Sequence, residues 1–466
     1  MTILFGKDFK KQYGKKFYKF FPENLKYNEF QYRIGLNVCA EGSLYFTDIK
    51  NIIKFYIYGL FPGIIEILDD SHVYIEGGDA HIENGTFKAD KIILKKIIKN
   101  EDKMVEFFRL TKASEFPREI LAICTYAAAH KLLMILKWGK ENGCPLIEEM
   151  CIRAAYNGHI KAVQWLKENG CPWNERVCSS AAENGHLEIL QWTRENGCPW
   201  NERVCRSAAE HGHLEILQWA RENGCPWDKL VCRSAAEHGY LEILQWAREN
   251  GCPWDELVCR NAAEYGHFEI LRWARENGCQ WDERVGYYAA KNGYFEIVKW
   301  AKENGCSMDE QTCSCAAYNG HLEILQWLRE NGCQWDELTC NCAAENGHFE
   351  VLKWAKTNGC PWDESVSYCA ATNGYLEILQ WLIKNGCPWD KMTCACAARN
   401  KRLEILQLLR ENGCPWDENT CTDAAKSGHL ENLKWARANG CPWFKDECKK
   451  VSEYYYPEIS RWILEN

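Results

Sequence analysis

A Gly-Cys pair recurs along this chain with a fixed period. It occurs at Gly143-Cys144 and again at Cys171, Cys198, Cys225, Cys252, Cys279, Cys306, Cys333, Cys360, Cys387, Cys414 and Cys441, eleven intervals of 27 residues without an insertion. A regular period of this length makes each unit one supersecondary element that stacks on its neighbours to bury a continuous core. A single compact core is also excluded by the length of 466 residues.

One unit, from Gly197, reads GCPWNERVCRSAAEHGHLEILQWAREN, and two helices fit it. The Asx residue after Trp (Asn201 here, Asp228 or Asp255 later) suits the N-cap of the first helix. A following Glu matches the positive end of the helix dipole. This helix is predicted to run to about Ala209-Glu210 and to stop at His211-Gly212, where glycine permits a left-handed cap. The second is predicted from His213 to Asn223, with Leu214, Ile216, Leu217 and Ala220 as its apolar stripe and Asn223-Gly224 as its stop. Each is about three turns, too short to be stable alone, so stacking must supply the burial.

The pattern extends past the Gly-Cys pairs. Ala127-Ala128 and Trp138 match Ala154-Ala155 and Trp165, and Trp462 follows Trp435 by 27 residues. An array of about thirteen units is expected from 117 to 466, the last worn by Val451, Ser452 and Pro457 as a terminal cap requires.

The segment AAENGHLEILQWTRENGC (Ala181 to Cys198) resembles the ankyrin repeat. The alanine pair, the Gly-His turn, the glutamate, the aliphatic pair and the closing glycine follow in the family's order. Ankyrin units run to about 33 residues. The missing residues fall between the closing glycine and the next alanine pair, where ankyrin repeats carry a β-hairpin finger. The resemblance implies a finger cut to a tight CPWDE turn, an array with few or no strands, and loss of the Thr-Pro-Leu-His motif. The cysteine-tryptophan units further resemble those of ankyrin proteins of giant DNA viruses of amoebae. FQYRIGLN (Phe30 to Asn37), LYFTDIKNIIKFYIYG (Leu44 to Gly59) and KADKIIL (Lys88 to Leu94) resemble the leader domain of that family.

Residues 1–112 lack the period and are expected to form a small α+β domain. Phe30-Tyr32, Leu44-Phe46 and Val73-Ile75 read as strands, Ile49 to Tyr58 as a helix, and Lys91 to Asn100 as strand or helix. Residues 7–21 interleave lysines with aromatics, which reads as a packed basic element rather than a membrane or nucleic-acid patch. FFPENLKYNEF has Pro22-Glu23 but no leucine-rich helical pattern behind it, which weighs against an F-box.

A net charge of −9 gives no general reason to bind nucleic acid. No stretch has the ~18 apolar residues of a spanning helix, and Lys7, Lys10, Lys11, Lys15 and Lys16 break any signal core. The chain therefore reads as intracellular, in the host cytoplasm on the viral resemblance, with the virion as an alternative. The 28 cysteines then read as free thiols. Cys313 and Cys315 exemplify a C-x-C pattern whose thiols point about 200° apart on a helix, which does not suit one metal, so no metal is expected. Cysteine instead replaces small apolar residues at stacked positions.

His186, His213, His267, His321 and His348 share one turn slot with Tyr240, Tyr294 and Tyr375, so they read as structural rather than catalytic. The repeated tryptophans read as cement between units. No phosphate loop, dinucleotide turn, HExxH or nucleophile elbow is present. His72, His81 and Cys39 are the only catalytic candidates outside the repeat. No enzyme activity and no cofactor are expected.

Variation between units is informative. Val204, Cys205, Ala208 and Ala209 are constant, whereas Arg203, Arg206, Ser207 and Glu210 vary and form one helical stripe. In the ankyrin arrangement this face lines the concave, partner-binding surface. Arg203, Arg206, Arg233, Arg260, Tyr287, Tyr288 and Tyr368 are the expected partner-binding residues. The stripe is expected to face solvent, so that replacing Arg206, Arg233 and Arg260 by Ala leaves folding intact. The expected fold is a mainly α, ankyrin-like solenoid behind a small α+β domain, monomeric, acting as a non-enzymatic protein-interaction scaffold. The alternatives are an effector or ubiquitin-pathway adaptor acting through the N-terminal domain, and a virion structural protein.

Overall fold

The computed structural model describes residues 2–5, 17–21, 26–27, 30–31, 34–38, 44–47, 61–68, 72–75, 86–89, 91–111 and 117–466. The chain divides into two compact bodies, Met1–Trp227 and Asp228–Asn466.

The first body opens with strands β1 (Thr2–Phe5), β2 (Phe17–Phe21), β3 (Lys26–Tyr27), β4 (Phe30–Gln31), β5 (Gly35–Val38), β6 (Leu44–Thr47), β7 (Phe61–Ile67), β8 (His72–Ile75), β9 (Thr86–Ala89) and β10 (Lys91–Ile97). Eight of them form a sheet in the order β1-β8-β9-β6-β2-β7-β10-β5, antiparallel throughout, and β3 pairs with β4. Ile65 and Ile67 of β7 and Ile92 and Leu94 of β10 are buried. The Lys91–Asn100 segment resolves as a strand as far as Ile97. The helix expected over Ile49 to Tyr58 lies outside the described residues.

Helix α1 (Glu101–Leu110) follows. Asn100 caps it, accepting from Lys103 N–H at 3.1 Å, and Glu101 and Asp102 fill the first turn. Its buried face is Met104, Val105, Phe107 and Phe108. Phe108 stacks on Trp138 at 5.4 Å, and Glu101 accepts from Met134 N–H at 2.7 Å. The helix thus covers the first unit of the array, where a preceding unit would otherwise sit.

Four helix pairs complete the first body, from Pro117–Ala129 with Leu133–Glu141 to Arg203–Glu210 with Leu214–Glu222. Nine more make up the second body, from Lys229–Glu237 with Leu241–Glu249 to Lys445–Ser452 with Pro457–Glu465. No strand is assigned between 117 and 466, so the finger is reduced to a turn, as the missing residues imply.

The local chemistry repeats. Asn174, Asn201 and eight aspartates from Asp228 to Asp417 cap the first helices through their side chains. Every second helix but the last closes by the same bonding; Cys198 N–H donates to Thr193 C=O at 2.9 Å and Gly197 N–H to Arg194 C=O at 3.1 Å. Between the helices of a pair lie Val204, Cys205, Ala208 and Ala209 from the first and Ile216, Leu217 and Ala220 from the second, all buried. Small residues on the first helix let the layers approach closely, and each buried aliphatic contributes about 1.5–3 kcal/mol.

Candidate interaction face

The ligand-like residue types of the repeat are mostly engaged within it. The turn-slot histidines reach back one unit. His186 Nε2 bonds Tyr156 C=O at 3.1 Å, His267 bonds Glu237 C=O at 3.0 Å, and His321 bonds Lys291 C=O at 3.2 Å. The acceptors are carbonyls at first-helix C-termini, which lack an intrahelical donor. The ring also lies over the preceding unit's glycine: a Cβ at Gly293 would stand 2.7 Å from His321. Tyr294 and Tyr375 cover Gly266 and Gly347 in the same way, and Arg402 donates from Nη2 to Asn373 C=O at 3.0 Å. Burial holds the His159 and His429 imidazoles below the usual range. The slot is structural, as its residue types imply.

The tryptophans form half-buried stacks. Trp200 meets Trp219 edge to face at 5.8 Å, Trp254 meets Trp273 at 5.9 Å, and Trp335 meets Trp354 at 5.7 Å. A cation from the preceding helix caps each: Arg194 over Trp200 at 4.4 Å, Arg248 over Trp254 at 4.6 Å, Arg329 over Trp335 at 4.1 Å. Arg275 shows the second role of that cation, donating to Cys279 C=O at 3.2 Å.

The cysteines divide by exposure. Of those described, only Cys342 and Cys369 are not buried. The thiol after each closing glycine donates to the carbonyl of the residue just before its own unit's first helix, from Cys171 to Ile147 (3.2 Å) through Cys441 to Asp417 (3.4 Å). Among the described residues, no group of three or more His, Cys, Asp or Glu is placed to hold a metal ion.

The variable stripe keeps partial exposure. Arg203 and Arg206 are exposed, and Tyr287, Tyr288 and Tyr368 are half-buried. Tyr287 and Tyr288 pack edge to face at 5.2 Å. The expectation of a wholly solvent-facing stripe holds at Arg203 and Arg206 and needs correction at the three half-buried tyrosines and at two arginines. Arg233 retains 19% of its side-chain exposure and Arg260 16%, because each folds onto the capping aspartate of the next unit. Arg233 Nε donates to Asp255 Oδ1 at 2.8 Å, and Arg260 Nη2 to Asp282 Oδ2 at 2.8 Å. Lys229 brings a second cation to Asp255 at 3.1 Å. The Arg233 hydrogen bond holds the Asp255 carboxyl down at about 2, although burial opposes it. The spacing of 22 residues that aligns these partners could have been read from the sequence, since both slots are periodic.

A feature missed in the sequence lies at the start of the array. An open groove of about 440 Å³ runs between Pro117–Ala129 and Glu148–Tyr156, lined by Arg118, Thr125, Tyr126, His130, Ile147 and Arg153 among others. Tyr156, Tyr265 and Tyr318, each at the end of a first helix, are exposed. In the N-terminal domain, His72 lies in β8, while His81 and Cys39 fall outside the described residues. Of the lysines in 7–21 only Lys19 is described; it is buried in β2, which pushes its ammonium down to about 8.

A family model for ankyrin repeats in three copies matches residues 259–339 and 340–420, and one for ankyrin repeats in many copies matches 151–192 and 178–221. No curated protein matches the chain. Among solved structures, the crystal structure of the human ASB11 ankyrin repeat domain is similar at 17% identity, covering 34% of this chain and 84% of that one, with a TM-score of 0.30. The matched stretches coincide with the shortened helix pairs, and residues 151–221 and 259–420 are ankyrin repeats.

Proposed function

We propose that the protein is a non-enzymatic scaffold that recognises a protein partner, in the host cell, along the first-helix stripe of its repeats. One observation carries this reading. The residues constant between units are buried, and the residues that vary, Arg203, Arg206, Tyr287, Tyr288 and Tyr368 among them, sit on the part-exposed side of the same helices. A repeated support whose first helices vary chiefly along one stripe fits recognition by shape and hydrogen bonding, and Arg and Tyr are the residue types that dominate such interfaces. Arg233 and Arg260 serve this role through the small part of each side chain that stays exposed while fixing neighbouring caps. Among the described residues no helix is long and apolar enough to cross a membrane, which accords with partners met in solution.

A photo-crosslinking amino acid at position 206 or 287 tests the reading against one at Glu215 on the second helix. A discrete adduct from the stripe positions, absent at 215 and lost in the Arg203→Ala, Arg206→Ala double variant, supports it. Adducts only at 215, or only from the N-terminal domain, would sink it.

A further inference from the structure

Ten units carry one thiol on the first helix and another twenty residues on, after the closing glycine. Cys313 Sγ lies 3.2 Å from Cys333 Sγ, both buried. The same twenty-residue spacing separates Cys124 from Cys144, Cys151 from Cys171, Cys178 from Cys198 and six further pairs, ten in all with Cys313–Cys333, and all of these thiols are buried. We propose that these pairs are covalent modification sites, closed by peroxide into one disulfide within each unit.

The argument is geometric. Two sulfurs already in contact need only a small rotation to reach bonding distance of about 2.05 Å. The bond would tie the first helix to the turn after the second, which the closing thiol already touches through its bond to the cap carbonyl, as in Cys333 to Asp309 C=O at 3.1 Å. The bond therefore links segments that are neighbours before oxidation, and no helix need move.

The chemistry balances with hydrogen peroxide as the oxidant. One sulfur attacks peroxide, the O–O bond breaks, and a sulfenic acid and one water form. The second sulfur then attacks the sulfenyl sulfur, the S–S bond forms, the S–O bond breaks, and a second water leaves with the remaining thiol proton. Two units are natural exceptions. Ser367 stands at the first-helix position opposite Cys387, with its Oγ 3.4 Å from that sulfur, and Gly286 stands opposite Cys306. Cys306 and Cys387 have no partner thiol at this spacing.

The test treats the reduced full-length protein with hydrogen peroxide, alkylates remaining thiols in denaturant and digests without reductant for mass spectrometry. Peptides joining Cys313 to Cys333, and other cysteines twenty apart, are expected, each short of two hydrogens and released by dithiothreitol. Cys306 and Cys387 should remain alkylated. Cys313→Ser repeats the arrangement that the protein uses at Ser367, so it should fold and lose that one linkage alone. Thiols that stay free, that over-oxidise singly, or that link across units would overturn the proposal.

Discussion

His321 Nε2 lies 3.2 Å from the carbonyl oxygen of Lys291, thirty residues earlier and one unit back. The imidazole thereby supplies the donor that the last turn of the preceding first helix lacks. His321→Ala should cost about 1–3 kcal/mol, the range for a carbonyl left without its partner. His321→Tyr should cost less, because Tyr294 and Tyr375 fill the same slot over Gly266 and Gly347. Urea midpoints for the two variants check this, and equal losses would contradict it.

Asp255 gives the array an acid-sensitive joint. Its folded carboxyl is held at about 2 by the Arg233 hydrogen bond, against about 3.9 unfolded. A depressed carboxyl contributes stability that is present above the unfolded value and lost as pH falls towards the folded one. Asp255→Asn should keep the cap, as Asn174 does with Arg176 N–H at 3.0 Å, while removing the ion pair. The stability difference between wild type and variant should therefore be largest above about pH 4 and shrink towards about pH 2. Thermal melts across that window measure it; a difference independent of pH would contradict the expectation.

Lys401 occupies the position that is glycine in most units, with φ at 59°. A side chain in this left-handed region costs about 1–2 kcal/mol, and Lys401 is exposed. Lys401→Gly should raise stability by about 1 kcal/mol after glycine's own entropic cost is deducted. A calorimetric melt decides the sign.

Gly286 and Met308 are a compensated pair. Met308 stands where most units have tryptophan, and its Cγ and Cε would lie 3.1 Å from a Cβ at Gly286. Gly286→Cys alone should destabilise by about 1–3 kcal/mol through overcrowding. The double variant Gly286→Cys, Met308→Trp restores the residues of the other units and should recover much of that loss. A double-mutant cycle measures the coupling, and additivity would contradict it.

The array was legible because its signals are redundant. The Asx caps, the glycine stops and the buried Val-Cys-Ala-Ala face each repeat, and the observed helices Arg203–Glu210 and Leu214–Glu222 fall within a residue or two of their expected bounds. The N-terminal domain offered no repetition. Leu44–Thr47 and His72–Ile75 were readable as aromatic and aliphatic runs, whereas β7 contains Pro62 and Gly63, which read as turn signals. Helix α1 carries a cap and an amphipathic pattern, but as a single copy it lacks the repetition that makes the later helices legible. On the stripe, exposure of Arg203 and Arg206 follows from helical geometry alone. The burial of Arg233 and Arg260 depends on the neighbour's aspartate, a relation between units that single-helix periodicity does not contain.

The backward reach of the turn-slot histidines has a consequence for synthesis. His186, His267 and His321 all bond to acceptors thirty residues nearer the N-terminus. A nascent chain leaving the ribosome has therefore already presented each acceptor when the matching donor emerges. Every new helix pair finds a finished template behind it, so the array can grow by vectorial addition, one pair at a time, as translation proceeds.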